Sequence, residues 1–484
     1  MANTKVEVNG SVLPDVVDIS YGKDSGDTIG TAELTVANTP SNRAMISSGD
    51  TVDIFESTSD GFDKKWSGEV ITKPSNASRR GLTLELEVES TAAQLEYAKV
   101  NRPFIELSTG DMIRQAVEKI RDPSVSEVFA YEGTTVSGWN GNAPDLSLIG
   151  DDAGVISRGD DGLYAGLPES GTGEYAVEYT DLTSDAVPGR RIEKVETRLL
   201  INDTGGMFDG VVILVDDDGI RYEWDLDLVG AQEFKTYELA VEDADVTSGA
   251  GDKRIRFEFT TDGTIPEERA FAIDYIKTVP FDLIDREIGV TTNISDTDFV
   301  TTRRVDGSVL KMVDNFATED GATAYVDKEN VLNYLSDGDT SADVGISYYD
   351  PSLNVVDVSV DRDFDVRNRV TVQGKDGIQA SYEDTGSIQF YNTEAPKEEP
   401  INDPSLRTRE QLRRRARGFL NDKAWDDGAL SFTIGNSEFL DVEPGQVMPV
   451  DWPPEDISGI FQVGSVNRTA SGYANVSLSG NLTI

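Results

Sequence analysis

The chain has 484 residues, with 89 Asp and Glu against 43 Lys and Arg, a formal net charge of −46, and neither His nor Cys. Without Cys there are no disulfides, thiol nucleophiles or thiolate metal sites; without His there is no Ser-His-Asp or Cys-His catalysis and no His-zinc centre. A one-signed charge of this size repels itself in dilute buffer and is screened at ~1 M salt, where the Debye length is about 3 Å, so the composition points to a protein of molar salt.

The acids run along the whole length, and the bases are 27 Arg and 16 Lys. An acidic tail would concentrate its charge in one block, and a disordered acidic chain would lack apolar residues. Here 38% of residues are hydrophobic and 44 Gly punctuate short apolar runs, the texture of a folded β-rich protein. With 89 carboxylates a nearby pair carries almost no information, so no enzyme is expected. Met1 to Val8 holds no apolar stretch fit for a signal peptide, and no window approaches a membrane span. The expectation is a chain made in the cytoplasm and not inserted in a membrane.

Residues 4–100 read as short strands: Thr31 to Val36 alternates, Gly49-Asp50 turns, Thr51 to Phe55 alternates again, and Gly68 to Ile71 and Leu82 to Val88 follow. Ser108 to Asp111 then offers caps for a helix with Met112, Ile113, Ala116, Val117 and Ile120 on one face. From about Phe129 to Phe281 longer β-like segments dominate, with Asp217-Asp218-Gly219 as a hairpin turn. A second helix is predicted at Ser308 with Val309, Met312, Val313, Phe316 and Ala317 on one face, followed by a hairpin at Ala322 to Val326 and Val331 to Leu335. Strands return from Arg369, interrupted by a helix over Ser405 to Asn421 whose apolar stripe is Leu412, Ala416, Phe419 and Leu420.

The closing strands echo the opening ones. Gly49-Asp50 before Val52 and Ile54, then Ser67-Gly68 before Val70, parallels Gly445 before Val447 and Val450, then Ser458-Gly459 before Phe461 and Val463. The fold expected is mainly β with a few helices, β-barrels plus α+β elements: two related small β-barrels with an inserted β-sandwich, or jelly roll. The domains expected are a first barrel over 1–105, an interrupted α+β domain over 106–128 and 284–365, the inserted sandwich over 129–283, and a second barrel with an Arg-rich helix over 366–484.

The order of barrel, helix, helix with hairpin, the strand Arg369 to Gln373, the Ser387-Ile388 segment, a further helix and a closing barrel with its Gly445 turn resembles the baseplate hub proteins of tailed phages and archaeal tailed viruses. That family includes the hub of T4-like phages and the N-terminal part of siphovirus tail-tip proteins. The resemblance covers about 1–125 and 285–484. It implies a homotrimer whose six barrels join a sixfold tail tube to a threefold tip around a DNA-conducting lumen, in the virion of a halophilic archaeal virus assembled in its host's cytoplasm at high salt. The partners implied are tail-tube and tail-tip or baseplate proteins.

The insertion departs from that pattern and has a resemblance of its own. Phe129, Glu132-Gly133 and Gly138-Trp139 near its start and Ala272 to Ile276 near its end look like the first and last strands of jelly-roll carbohydrate-binding modules. The resemblance implies a structural calcium at Glu132 and Asp274, oxygen ligands that suit a hard cation, against the alternative of two surface acids. Loop acids at Asp151-Asp152, Asp160-Asp161 and Asp216 to Asp218 read as solvated turns. Of the insertion's aromatics, Tyr222 and Trp224 alternate on a strand as core residues do, whereas Trp139 and Tyr164 lie in Gly- and Asp-rich segments and are expected to be exposed as a glycan platform. A host surface glycan or glycoprotein is then a partner of this domain; neighbouring tail proteins are the other.

Arg407, Arg409, Arg413, Arg414, Arg415 and Arg417 form the one basic run. Phosphate contacts are weak in molar salt, so no sequence-specific nucleic acid is expected, and the run is assigned to a protein interface with acidic neighbours or to ion pairs within the chain. The alternative functions are a glycan-binding adhesin on barrel scaffolding, disfavoured by the polar opening residues, and a carboxylate glycosidase, which has only the sugar-module resemblance behind it.

Overall fold

The computed structural model describes residues 4–24, 29–58, 61–72, 83–123, 127–132, 137–141, 145–149, 162–167, 173–202, 208–228, 231–248, 251–261, 269–295, 300–336, 345–361, 366–390, 396–403, 406, 408–424, 429–435, 442–455, 457–469 and 473–479. Strands dominate, as the alternating patterns predict. The chain divides into two compact units, one formed by 1–99, 287–296 and 308–484, the other by 100–286 and 297–307.

The first unit contains two barrel-like curled sheets. The strands of the first are β1 (Thr4–Val8), β2 (Val16–Asp24), β3 (Thr31–Ala37), β4 (Thr51–Thr58), β5 (Gly61–Thr72) and β6 (Thr83–Ser90), and they neighbour one another in the order β1-β4-β5-β6-β3-β2. Val6 and Val8 at one end of that order share a core with Ile19 and Tyr21 at the other, so the sheet wraps on itself around Leu34, Val36, Ile54, Trp66 and Leu86. Strict alternation on β6, with Leu84, Leu86 and Val88 inward and Thr83, Glu85 and Glu87 outward, sets the face. Each such apolar side chain, fully buried, contributes about 1.5–3 kcal/mol.

The second sheet comprises β7 (Ile346–Ser347), β8 (Val355–Asp361), β9 (Ala429–Ile434), β10 (Val447–Trp452), β11 (Ile457–Thr469) and β12 (Ala474–Ser479). Its order, β7-β10-β11-β12-β9-β8, is the order of the first sheet strand for strand. One difference marks the copies: β1 runs antiparallel to β4, whereas β7 runs parallel to β10. Ile346, Leu430, Phe432, Val450, Phe461 and Leu478 fill this core.

Between these strands lies a smaller layer. The sheet of Gln379–Glu383, Arg369–Gln373 and Glu398–Asn402 packs its apolar face, with Val370 and Val372, against Leu412, Ala416 and Leu420 of an Arg-rich helix that spans Arg409–Lys423 and begins at a Thr408 capping box. The helix expected at Ser308 is Val309–Asp320, closed by Gly321 in the left-handed conformation at φ 65°.

The second unit holds two six-stranded sheets. One places Asp145–Ile149, Gly162–Leu167, Arg269–Pro280, Ile192–Asn202 and Ala231–Ala240 side by side, with Val128–Tyr131 also on Arg269–Pro280. The other runs Trp139–Gly141, Gly173–Tyr179, Arg254–Thr261, Phe208–Val215, Arg221–Leu228 and Asp245–Thr247. Their inner faces share a core containing Tyr222 and Trp224, which stack with ring centroids 6.0 Å apart. The same unit includes the helix Thr109–Glu118, capped by Ser108.

Candidate interaction surfaces

The repeat extends to individual hydrogen bonds. Gly49 (φ 87°) and Gly445 (φ 90°) occupy equivalent left-handed turn positions. Gly49 N–H donates to Val70 O at 2.8 Å and Val70 N–H to Asp50 O at 3.0 Å; Gly445 N–H donates to Val463 O at 2.7 Å and Val463 N–H to Gln446 O at 2.8 Å. The Asp50 carboxylate accepts from Ser47 N–H, and the Gln446 side-chain carbonyl accepts from Glu443 N–H. After the turn both long strands carry a bulge at the same place, Val70/Thr72 on β5 and Val463/Ser465 on β11. β2 and β8 share another, after Val16 and Val355, and beyond it Asp18, Ile19, Ser20 and Tyr21 pair on β3 as Asp357, Val358, Ser359 and Val360 pair on β9.

The two sheets are continuous through one junction, the antiparallel pairing of Ser20 to Asp24 on β2 with Thr469 to Ser465 on β11. Gly22 leaves room there for the Asn467 side chain: a Cβ would lie 1.8 Å from the Asn467 Oδ1, so that side chain would have to turn aside. Beside it Tyr21 donates its hydroxyl to Glu56 at 2.7 Å, and burial with the Glu56 charge pushes the Tyr21 phenol well up. Arg468 is buried on the facing strand. The counterpart edges are open: among the described residues β8 pairs only with β9, and β4 ends its pairing with β5 at Glu69, leaving that side of β5 unpaired by any strand after the Val70 turn bonds. Val356 on β8 is 58% exposed.

The Arg-rich helix divides its charges. Arg414 pairs with the nearly buried Asp320, and Arg415 Nη1 donates to Thr318 O at 3.5 Å, so both serve the C-terminal end of helix Val309–Asp320, where carbonyls carry negative charge. Gly418 lets the helices approach: its Cβ would stand 2.7 Å from Thr318 O. Arg409, Arg413 and Arg417, spaced four apart, form an exposed stripe with no ion-pair partner among the described residues. Arg407 lies outside the described residues.

In the second unit the expectation of an exposed Trp139 is corrected. The strand Trp139–Gly141 pairs with Gly173–Tyr179, which turns the indole inward against Tyr131, Tyr179 and Phe257, with centroids 5.1 to 6.4 Å away, and leaves it 6% exposed. A ring enclosed by three others has no free face for a sugar. Tyr164 lies opposite Ala272 in its sheet, and its side chain is outside the described residues. Glu132 is exposed, while Asp274 accepts from Arg198 Nη1 at 2.5 Å. Among the described residues no group of three or more acids could hold a metal ion. Asp151-Asp152 and Asp160-Asp161 lie outside them. Asp216, read as a solvated turn acid, is buried instead: it accepts from the N–H groups of Arg190, Asp218 and Ile220 and from the Tyr222 hydroxyl at 2.7 Å. Burial raises its carboxyl above the ordinary range against the pull of those donors.

No family model matches the chain, and no curated protein does. Among solved structures it is similar to the tail protein from Neisseria meningitidis, at 9% identity and TM-score 0.48, over 99% of this chain and 96% of that one. It is similar to the 43 kDa tail protein of prophage MuSo2 from Shewanella oneidensis, at 9% identity and TM-score 0.47, over 99% and 98%. A partial likeness, at 12% identity and TM-score 0.24, joins 32% of this chain to 97% of a family 11 carbohydrate-binding module from Clostridium thermocellum.

The sequence reading missed the edge strands. The signal was present in Val16-Val17-Asp18-Ile19-Ser20 against Val355-Val356-Asp357-Val358-Ser359, four identities in five, which the glycine-turn comparison did not include.

Proposed function

We propose that the protein is a structural component of a virus tail: a hub in which three copies set six barrels in a ring, join a sixfold tube to a threefold tip and leave a lumen open for DNA. The observation that carries this reading is the strand-for-strand repeat, since two barrels with one strand order, matching bulges and matching glycine turns let a threefold assembly present six nearly equivalent faces. The mechanism is geometric and involves no reaction. The net charge of −46 supports assembly in molar salt, in a halophilic archaeal host. Arg409, Arg413 and Arg417 supply a contact for an acidic tail neighbour, with bidentate geometry that Lys would lack. The two-sheet unit stands as a peripheral domain for contact with tail proteins or host glycans.

Light scattering coupled to size exclusion in about 3 M salt, where only near-contact charges interact, tests the stoichiometry. Three copies per particle is the expected mass. A particle that stays monomeric at every concentration contradicts the hub.

A further inference from the structure

The outer faces of the two barrels differ in charge at equivalent positions. In the first barrel β3 and β6 pair Glu33 with Glu87 and Thr35 with Glu85, and Glu89 of β6 pairs with Glu69 of β5. In the second barrel β9 and β12 pair Ser431 with Ser477 and Thr433 with Asn475, and Ser479 of β12 pairs with Gln462 of β11. Every acid of the first set therefore has a neutral residue as its counterpart. The neutral rows close on themselves: Thr433 Oγ1 donates to Asn475 Oδ1 at 2.9 Å, and the Ser465 and Ser477 hydroxyls share a hydrogen bond of 2.6 Å. The acidic rows do not. Glu33 stands directly opposite Glu87, a like-charge pair that destabilises a sheet, and among the described residues Glu33, Glu85 and Glu87 have no ion-pair partner. Burial, then the Glu96 and Glu87 charges, raises the Glu89 carboxyl.

We infer that this acidic sheet face receives the Arg-rich helix of a second copy, with Arg409, Arg413 and Arg417 laid along Glu85, Glu87 and Glu89 of β6. The inference rests on the ring reading above and names the acidic neighbour of the Arg stripe as the next copy. Three observations carry it. The acid surplus of the chain does not account for the face, because the equivalent rows of the other barrel are neutral. The spacings match: four helical residues advance about 6 Å and two strand residues about 6.8 Å, so three Arg over about 12 Å meet three Glu over about 14 Å, within reach of guanidinium forks. Both halves are left over within one copy: Glu33, Glu85 and Glu87 are exposed, as are Arg409, Arg413 and Arg417, with no ion pair among the described residues. Each copy thus carries the two halves on different elements, a head-to-tail contact that makes a ring when its rotation closes. Near-contact pairs are also the electrostatic interactions that survive at ~1 M salt, where screening acts over about 3 Å.

Charge swapping on the full-length chain in about 3 M salt tests the contact, with mass read by light scattering over a concentration series. R409E/R413E/R417E alone and E33R/E85R/E87R alone are each expected to raise the midpoint concentration of assembly about 100-fold. The chain that combines all six is expected to return to within about tenfold of the parent. A combined variant that assembles no better than the triple variants overturns the contact. Parent assembly that neither reversal weakens also overturns it and leaves the ring standing; no assembly of the parent at any concentration overturns both. If the reversed chains fail to fold, Glu87→Gln decides. It removes the like charge opposite Glu33, so the unfolding free energy is expected to hold or rise while the midpoint concentration rises about tenfold. An unchanged midpoint in E87Q, or a fall in stability that accompanies the weaker assembly, assigns Glu87 to the fold alone and overturns the contact.

Discussion

Single residues hold the repeat in place, and their surroundings separate equivalent positions. Gly49 and Gly445 share a left-handed backbone, which costs an L side chain roughly 1–2 kcal/mol. Nothing lies within 4 Å of a Cβ at Gly49, but one at Gly445 would meet the Thr323 methyl at 2.5 Å and the Tyr325 ring at 2.8 Å. Gly445→Ala is therefore expected to lower the unfolding free energy more than Gly49→Ala, by a further roughly 1–3 kcal/mol of overpacking read from denaturant melts; equal losses in the two variants would show that the turn alone matters. Asp216 makes a second test. Its carboxyl is raised by burial, so between the ordinary value and the raised one the folded state holds more protons than the unfolded state, and its contribution to stability grows as pH falls through that window. Tyr222→Phe removes one donor to the charged form, with an expected loss of about 1–3 kcal/mol near neutral pH that shrinks on acidification. A penalty independent of pH in thermal melts would contradict this.

At the level of elements, helix Arg409–Lys423 turns Arg414 to Asp320 and leaves Arg409, Arg413 and Arg417 exposed. Arg414→Ala breaks the pair with nearly buried Asp320 and is expected to destabilise the chain, whereas reversing Arg409, Arg413 and Arg417 to Glu is expected to leave the unfolding free energy within about 0.5 kcal/mol of the parent per substitution, as surface changes do, and to weaken binding to the proposed acidic tail partner. Loss of fold in the triple variant would place those side chains in the core arrangement. This helix shows what sequence can display. Its stripe Leu412, Ala416 and Leu420 follows the helical period and is buried as expected, since burial of one face leaves a periodic trace. Which Arg turns to Asp320 leaves none, because a pairing across 94 residues depends on how two helices cross. The same limit explains Trp139: Gly138 beside it reads as a loop, but the next residues join a strand and the indole enters the core. Periodicity reports a face only over several residues, and this strand has three. The edge strands were legible as an internal repeat, while the pairing that makes β2 and β8 differ is a long-range contact that no local pattern encodes.

For the whole molecule, charge sets the response to salt. With a net charge of −46, dilution from about 3 M to ~0.1 M salt lengthens screening to about 10 Å and is expected to lower the melting temperature steeply and disperse the assembly; an unchanged melting temperature would remove the charge argument for a molar-salt habitat. The central claim is the ring of six barrels from three copies. Electron-microscopy class averages of the full-length protein assembled in about 3 M salt test it most directly. The account predicts a threefold particle with six similar inner densities around an open channel. Particles with a closed centre, or with an inner layer of fewer than six similar densities, would contradict it.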